Sequence, residues 1–294
     1  MTPKDILLAV VVIIAWGVNF VIIKVGLDGV PPMLLGALRF TLAAFPAILF
    51  IRRPDMPLRW LLAYGLTISL GQFAFLFSAM YAGMPAGLAS LVLQAQAFFT
   101  LGFAALFIGE TVRRSSLIGL VVAAAGLLLI GSESGRAFTL AGFVLTLCAA
   151  AMWGLGNVVT KRIGKVNLVS LVVWGSLIPP LPFLALSLML EGPAQIDTAL
   201  RNISLSSVLV IAYLAFIATL LGYGLWSRLL SRYPASQVAP FSLLVPIVGL
   251  SSAWLFLGEA LSSVQWIGAA IVMLGLLINV FGPRLLQRLR GAAA

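Results

Sequence analysis

The chain is built from one pattern used twice. Pro85 to Leu129 returns as Pro234 to Ile278: Pro85-Ala86 meets Pro234-Ala235, Phe107-Ile108-Gly109-Glu110 meets Phe256-Leu257-Gly258-Glu259, Ile118-Gly119 meets Ile267-Gly268, and Gly126 meets Gly275. One spacing serves all of them, the 149 positions from Glu110 to Glu259. Each copy reads as an apolar run, a Gly-Glu turn and a second apolar run, which is a helix hairpin of membrane length. Nearer the start, Ala15-Trp16-Gly17-Val18-Asn19, closing at Lys24, is matched by Met152-Trp153-Gly154-Leu155-Gly156-Asn157, closing at Lys161. There the spacing is the 137 positions from Trp16 to Trp153, so an insertion separates the two registers, and the polar segment Glu191 to Ser206 is its natural home.

Hydrophobic residues make up 62% of the 294 and charged residues 9%, whereas soluble domains are roughly half apolar and about a quarter charged. A bilayer core of ~30 Å takes about 20 apolar residues per helix. The runs fall at approximately Ile6 to Ile23, Pro32 to Ile51, Leu58 to Ala82, Pro85 to Ile108, Ser115 to Gly131, Phe138 to Thr160, Leu168 to Leu190, Ser206 to Ser231, Ala235 to Leu257 and Ser263 to Phe281. They are continuous rather than alternating, which excludes a membrane β-barrel. The first run carries Trp16, Gly17 and Asn19 where a signal peptide needs small residues, and it has a later counterpart, so it is read as a mature span.

Lys and Arg fix an orientation. With ten spans, one set of loops and tails holds Lys4, Arg52, Arg53, Arg59, Arg113, Arg114, Lys161, Arg162, Lys165, Arg228, Arg232, Arg284, Arg288 and Arg290, and the other only Lys24, Arg136 and Arg201. Under the positive-inside rule both termini are cytoplasmic, in a plasma membrane, or the inner membrane of a Gram-negative cell. The net charge of +10 is accounted for in this way and not by nucleic acid. Five spans per half make the second copy enter from the opposite side. The expected fold is therefore an all-α membrane protein, ten transmembrane helices as two inverted five-helix repeats, approximately 1–134 and 135–294, around a central cavity, within a single transmembrane domain. That is the architecture of secondary transporters. Histidine is absent and Cys148 is the only cysteine, so neither a nucleophile–imidazole couple nor a thiolate metal cluster can form; no enzyme, metal or cofactor is expected.

The residues Trp16-Gly17-Val18-Asn19, Arg39-Phe40, Pro85-Ala86, Pro234-Ala235, both Gly-Glu turns and the Ile-Gly and later Gly after each resemble the EamA-type group of the drug/metabolite transporter superfamily over essentially the whole chain. Within that group the YddG-like amino-acid exporters are the most similar. The resemblance implies a cavity lined by the first, third, fourth, sixth, eighth and ninth helices, and outward transport of amino acids. It also implies a proline in the middle of the fourth and ninth spans. Pro246 keeps one, but Ala97 stands at the other position, so the two walls should bend unequally.

On those helices, Trp16 and Asn19 share one face of the first span and Trp153 and Asn157 one face of the sixth. Their amides need partners in hydrocarbon, which substrate contact and a bond between helices satisfy equally well. Gln94, with Phe98 one turn on, and Gln72 are further candidates, Gln96 a weaker one. Phe77, Ser78 and Tyr81 on the third span and Tyr223 and Trp226 on the eighth complete a substrate-binding set of rings and dipoles suited to an amphiphilic amino acid, with ordinary packing or an interfacial aromatic belt as the competing reading for each aromatic. Arg39, the one charge well inside a span, lies on a scaffold helix and is assigned to structure. Glu110 and Glu259 read as turn residues stabilising the amino end of the next helix. Gly119 with Gly126 and Gly268 with Gly275 permit close helix contact, which also suits a homodimer. All eight acids lie at span ends or in loops, so transport without an obligatory proton is expected. A drug/metabolite efflux carrier and a sugar-phosphate or nucleotide-type exchanger are the alternatives, the latter disfavoured by the lack of cavity cations. Small-molecule substrate and membrane lipid are the expected partners.

Overall fold

Backbone amides in hydrocarbon have no water to bond, so a spanning segment satisfies them internally as a helix. The computed structural model has ten such helices: α1 (Pro3–Leu27), α2 (Pro32–Leu49), α3 (Leu58–Tyr81), α4 (Ala86–Ile108), α5 (Arg114–Gly131), α6 (Leu140–Ile163), α7 (Leu168–Leu190), α8 (Leu205–Arg232), α9 (Ala239–Leu257) and α10 (Ser263–Gly282). The structure describes residues 1–291, and the side chains of all of these except 235, 236 and 283–291. The tail cations Arg284, Arg288 and Arg290 and the side chain of Ala235 thus lie outside the described residues. Exposed Leu106, Val121, Leu128, Leu181 and Leu255 give the outer surface its apolar character. The protein is a multi-pass membrane protein, and five spans per unit make the repeats inverted.

Sequence signals mark the helix ends. The side chains of Thr2, Thr139, Asn167 and Ser204 accept from the amides of Asp5, Gly142, Ser170 and Ser207 as N-caps. Gly109 and Gly258 end α4 and α9 at φ +68° and +67°, a left-handed turn that glycine enters without Cβ strain. That is why each Gly-Glu pair begins with Gly. The insertion between the two registers contains a short amphipathic helix, Gly192–Arg201, outside the spans.

Helical irregularities repeat with the sequence. A π-helical stretch occupies Gly65–Gly71 in α3 and Tyr213–Leu221 in α8; moved by the repeat spacing, the first falls inside the second. A 3₁₀ stretch interrupts α4 at Leu93–Ala95, and another opens α9 at Ala239–Leu244, just after a short turn of helix at Ala235–Val238. The stretch in α9 is the longer, six residues against three, and it holds Pro240, while Pro246 sits in the first turn after it. With Ala97 at the position of Pro246 α4 still breaks, so that proline is not the cause of the interruption.

Glycine sets the closest approaches. A Cβ on Gly17 of α1 would lie 2.5 Å from the Val248 side chain and 3.1 Å from the Gly249 amide of α9; one on Gly154 of α6 would lie 2.7 Å from the Phe99 Cβ and 2.9 Å from the Thr100 amide of α4. These are repeat-related crossings, α1 on α9 and α6 on α4. The expected glycine stripes meet one another: a Cβ on Gly275 would fall 2.6 Å from both Ala123 N and Gly119 O, and one on Gly126 2.7 Å from Gly268 O. The surface that suited a homodimer is therefore buried between α5 and α10 of one chain. Gly275→Leu forces these backbones apart and should lower stability by ~1–3 kcal/mol, read as a reduced Tm of the detergent-purified protein, whereas Gly102→Ala, with nothing within 4 Å of its Cβ, should leave Tm unchanged or raised.

Candidate functional site

A cavity of about 410 Å³ lies between the repeats, within the ~300–1,000 Å³ typical of small-molecule sites. It reaches the face on which α1 begins through Thr160, Leu168, Leu230 and Ala239, and ends on the opposite side at Leu76 and Ser90. Six of its lining helices are those the resemblance implied; α2 and α7 also reach it, through Arg39 and through Leu168 and Val172.

The π stretch of α8 organises one wall. Within it the Ala218 carbonyl accepts from Trp16 Nε1 at 3.0 Å, while Tyr213 donates its hydroxyl to Ala15 O at 2.8 Å. Trp16 is thereby fixed with its ring centroid 5.2 Å from Tyr223 and 5.4 Å from Trp226. The other wall carries amides. Asn157 Nδ2 donates to Gln96 Oε1 at 2.9 Å and to Thr100 Oγ1 at 3.0 Å, tying α6 to α4. Gln94 lines the same space and has no side-chain hydrogen bond among the described residues.

Of the expected substrate-binding residues, Trp16, Asn19, Gln72, Gln94, Trp153, Asn157, Tyr223 and Trp226 line this cavity. Phe77, Ser78, Tyr81 and Phe98 do not. Phe77 is 0% exposed and packs with its ring tilted by 58° against Phe73, centroids 5.5 Å apart, and Phe98 belongs to the hydrophobic core. Tyr81, 58% exposed, is the last residue of α3, and Ser78 is half-buried outside the lining. The lining face of α3 runs Tyr64, Ile68, Gln72, Phe73, Leu76, and Phe77, one turn past Phe73, lies beyond its end.

Arg39 is the largest departure from the sequence reading. It was assigned to the scaffold, yet it lines the cavity and is 2% exposed. Its Nη2 donates to Thr219 Oγ1 at 3.1 Å, and its guanidinium lies 3.9 Å from the Phe73 ring centroid and 5.3 Å from that of Phe40. The signal was present: it is the one charge inside a span, and such residues mark functional sites. Tyr64, Phe73 and Ser90 were missed outright, because nothing in a uniformly apolar run marks which face is wet.

The glutamates also depart from expectation, since neither serves the helix that follows it. Glu259, at the end of α9, accepts from the amides of Ala86 and Gly87 at 2.8 and 2.9 Å, capping α4 in the other repeat. Glu191, at the end of α7, likewise accepts from Met33 and Leu34 at 2.6 and 3.2 Å, capping α2. Both bonds stitch the face where the cavity is closed. Glu110, the repeat partner of Glu259, instead pairs with Lys161 at 2.7 Å on the open face and is 48% exposed. Among the described residues no carboxylate lines the cavity and no acidic or cysteine cluster could hold a metal.

The sequence pattern of the EamA-like transporter family matches residues 3–132 and again 140–281. The chain belongs to the EamA-like transporter family. It is 53% identical to a protein of Salmonella typhimurium strain LT2 named "Probable amino-acid metabolite efflux pump", over 99% of each chain. A protein of the same name from Escherichia coli strain K12 is 51% identical over 97% of each. The "Uncharacterized inner membrane transporter YedA" of Escherichia coli strain K12 is 26% identical over 92% of this chain and 89% of that one. A crystal structure described only as that of a protein shares the fold at TM-score 0.65 and 20% identity, covering 97% of this chain and 99% of the other. This EamA-like protein is thus a transporter rather than an enzyme.

Two cavity amides separate structure from recognition. Asn157→Leu removes both of its bonds and should lower stability by ~1–3 kcal/mol, measured as a fall in Tm. Gln94→Leu breaks no side-chain hydrogen bond among the described residues and should leave Tm unchanged while weakening substrate binding several-fold in counterflow.

Proposed function

We propose that this EamA-like transporter exports amino acids and related amphiphilic metabolites from the cytoplasm by alternating access. The observation that carries the reading is a cavity of small-molecule size with amide and indole groups at its wall, reaching one face and stitched shut at the other by bonds between the repeats. The relatives named as amino-acid metabolite efflux pumps, matched over almost their full length, support the substrate class and direction. The excess of Lys and Arg on the face where α1 begins supports cytoplasmic termini, in which case the structure is the inward-facing form, and the relative named as an inner membrane transporter supports that membrane.

The Glu259 cap supplies a physical account of the switch. Its carboxylate holds the closed face by two charge-assisted bonds to the start of α4. The repeat equivalents of Ala86 and Gly87 are Ala235 and Ser236, at the start of the ninth span, and the equivalent of Glu259 is Glu110. In the outward-facing form Glu110 leaves Lys161 and caps that helix start as Glu259 releases its own. Of this repeat-related pair, one glutamate lock is made in each state, each at a helix amino end that favours negative charge.

Among the described residues no carboxylate lines the cavity, so the transporter follows the substrate gradient without an obligatory proton. Uptake by proteoliposomes should be unchanged when a pH gradient is imposed, and a marked stimulation would overturn facilitative transport. In a Cys148→Ser background, Glu259→Gln should speed labelling of Ser90→Cys by an impermeant maleimide from the closed face about tenfold, since a charge-assisted bond contributes ~1.5–3 kcal/mol. An unchanged rate would remove Glu259 from the lock. Counterflow across a panel of amino acids and lipophilic cations tests the substrate class, and movement of the cations alone would favour a drug-efflux carrier.

A further inference from the structure

Five buried side-chain atoms among the described residues lack a hydrogen-bond partner, and four of them belong to residues lining one cavity: Nε and Nη1 of Arg39, Oδ1 of Asn19 and Oε1 of Gln72. Two are donors on a cation and two are carbonyl acceptors. We infer that these residues form a built subsite for a zwitterion, with Arg39 receiving a carboxylate and the amide oxygens of Asn19 and Gln72 receiving an ammonium. The inference rests on the cavity being the transport site, and it assigns the contacts that select the cargo.

The physical case begins with Arg39. A buried guanidinium normally meets a carboxylate, because an unpaired charge in a low-dielectric interior is strongly unfavourable. None of the ion pairs among the described residues includes Arg39. Its protein contacts are one neutral hydroxyl and two aromatic faces, which position the fork without neutralising it. The side pocket beside it, about 10 Å³ between Tyr64, Ser69, Ser176 and Thr219, holds at most a single water. The planar fork is suited to a bidentate carboxylate. Asn19 and Gln72 supply the opposite polarity: a carbonyl oxygen accepts from an ammonium, and two neutral acceptors leave the net charge of the site to the ligand. All four atoms are shut off from water in this form, so they gain partners only as a ligand enters and the walls settle around it. Such a site favours a carboxylate-bearing substrate over its amide, and it needs no protein carboxylate to receive the ammonium.

The test uses the full-length protein with five probes: L-leucine, L-phenylalanine, the primary amide of each, and 3-phenylpropionate, a carboxylate with no ammonium. Affinity is read from ligand-induced Tm shifts, and transport from proteoliposome counterflow. The wild type should bind each amino acid about tenfold or more tightly than its amide, the scale of a charge-assisted bond. Arg39→Met should abolish that ratio while still binding the amides, and Arg39→Lys, which keeps the charge but not the fork, should restore part of it. Gln72→Leu should weaken L-phenylalanine several-fold and leave 3-phenylpropionate unchanged. If the amino acids are transported and Arg39→Met keeps the wild-type ratio, the subsite is wrong and the export reading stands. If the wild type ignores both amino acids but binds 3-phenylpropionate through Arg39, the carboxylate subsite stands and amino-acid export falls. Should Arg39→Met not fold, the ratio in Arg39→Lys decides, an unchanged value overturning the proposal. A wild type that binds none of the five overturns it as well.

Discussion

Every backbone amide of a lipid-embedded chain has to find its partner inside the protein, and four of the stretches where this chain departs from a regular α-helix lie where it has something other than lipid to face. The π stretches of α3 and α8 and the 3₁₀ stretches of α4 and α9 contribute residues to the central cavity. The Ala218 carbonyl takes Trp16 Nε1, and Thr219 Oγ1 bonds Leu214 O while receiving Arg39. The same widened turn therefore orients both the indole cluster and the buried cation. Irregular backbone here is a way to point carbonyls and side chains inward at a depth where a straight helix would keep both to itself.

Duplication explains the resting asymmetry as well as the fold. Two copies of one sequence pattern are free to adopt two conformations, and in this structure they do: Glu259 caps the start of α4 in the other repeat, while Glu110, which also reaches across, pairs with the Lys161 side chain of α6 instead of a helix start. Exchange of the two arrangements would turn the cavity to the other face with no new kind of contact. In the proposed cycle such a lock is electrostatic and short in reach, which would keep the free-energy difference between the two forms modest, as a carrier that must cycle requires.

Reading the sequence alone was sufficient for the ten spans, the two units and the family, since these rest on long apolar runs and on a spacing repeated at many positions. It was less informative about the cavity. Trp16, Asn157 and Trp226 stood out because a polar or amphipathic group in hydrocarbon needs a reason. Phe77 and Phe98 looked equivalent to them but pack in the core, because the face of an entirely apolar helix cannot be told from composition, and a π turn shifts that face. Arg39 was visible and was placed wrongly: position along a helix gives depth, not direction. Glu259 was legible as a helix-capping residue, but its partner, in the other half of the chain, was not.

The glycine crossings have a mechanical consequence. At Gly17 on Val248 and at Gly154 on Phe99 and Thr100 there is no room even for a methyl group, so α1 with α9 and α6 with α4 meet without slack. In the proposed alternating-access cycle a contact that tight would pivot and not slip. Displacement of either pair at one membrane surface would be delivered with opposite sign at the other, so that the opening of one mouth and the closing of its opposite would become a single motion, in the manner of scissor blades about a rivet.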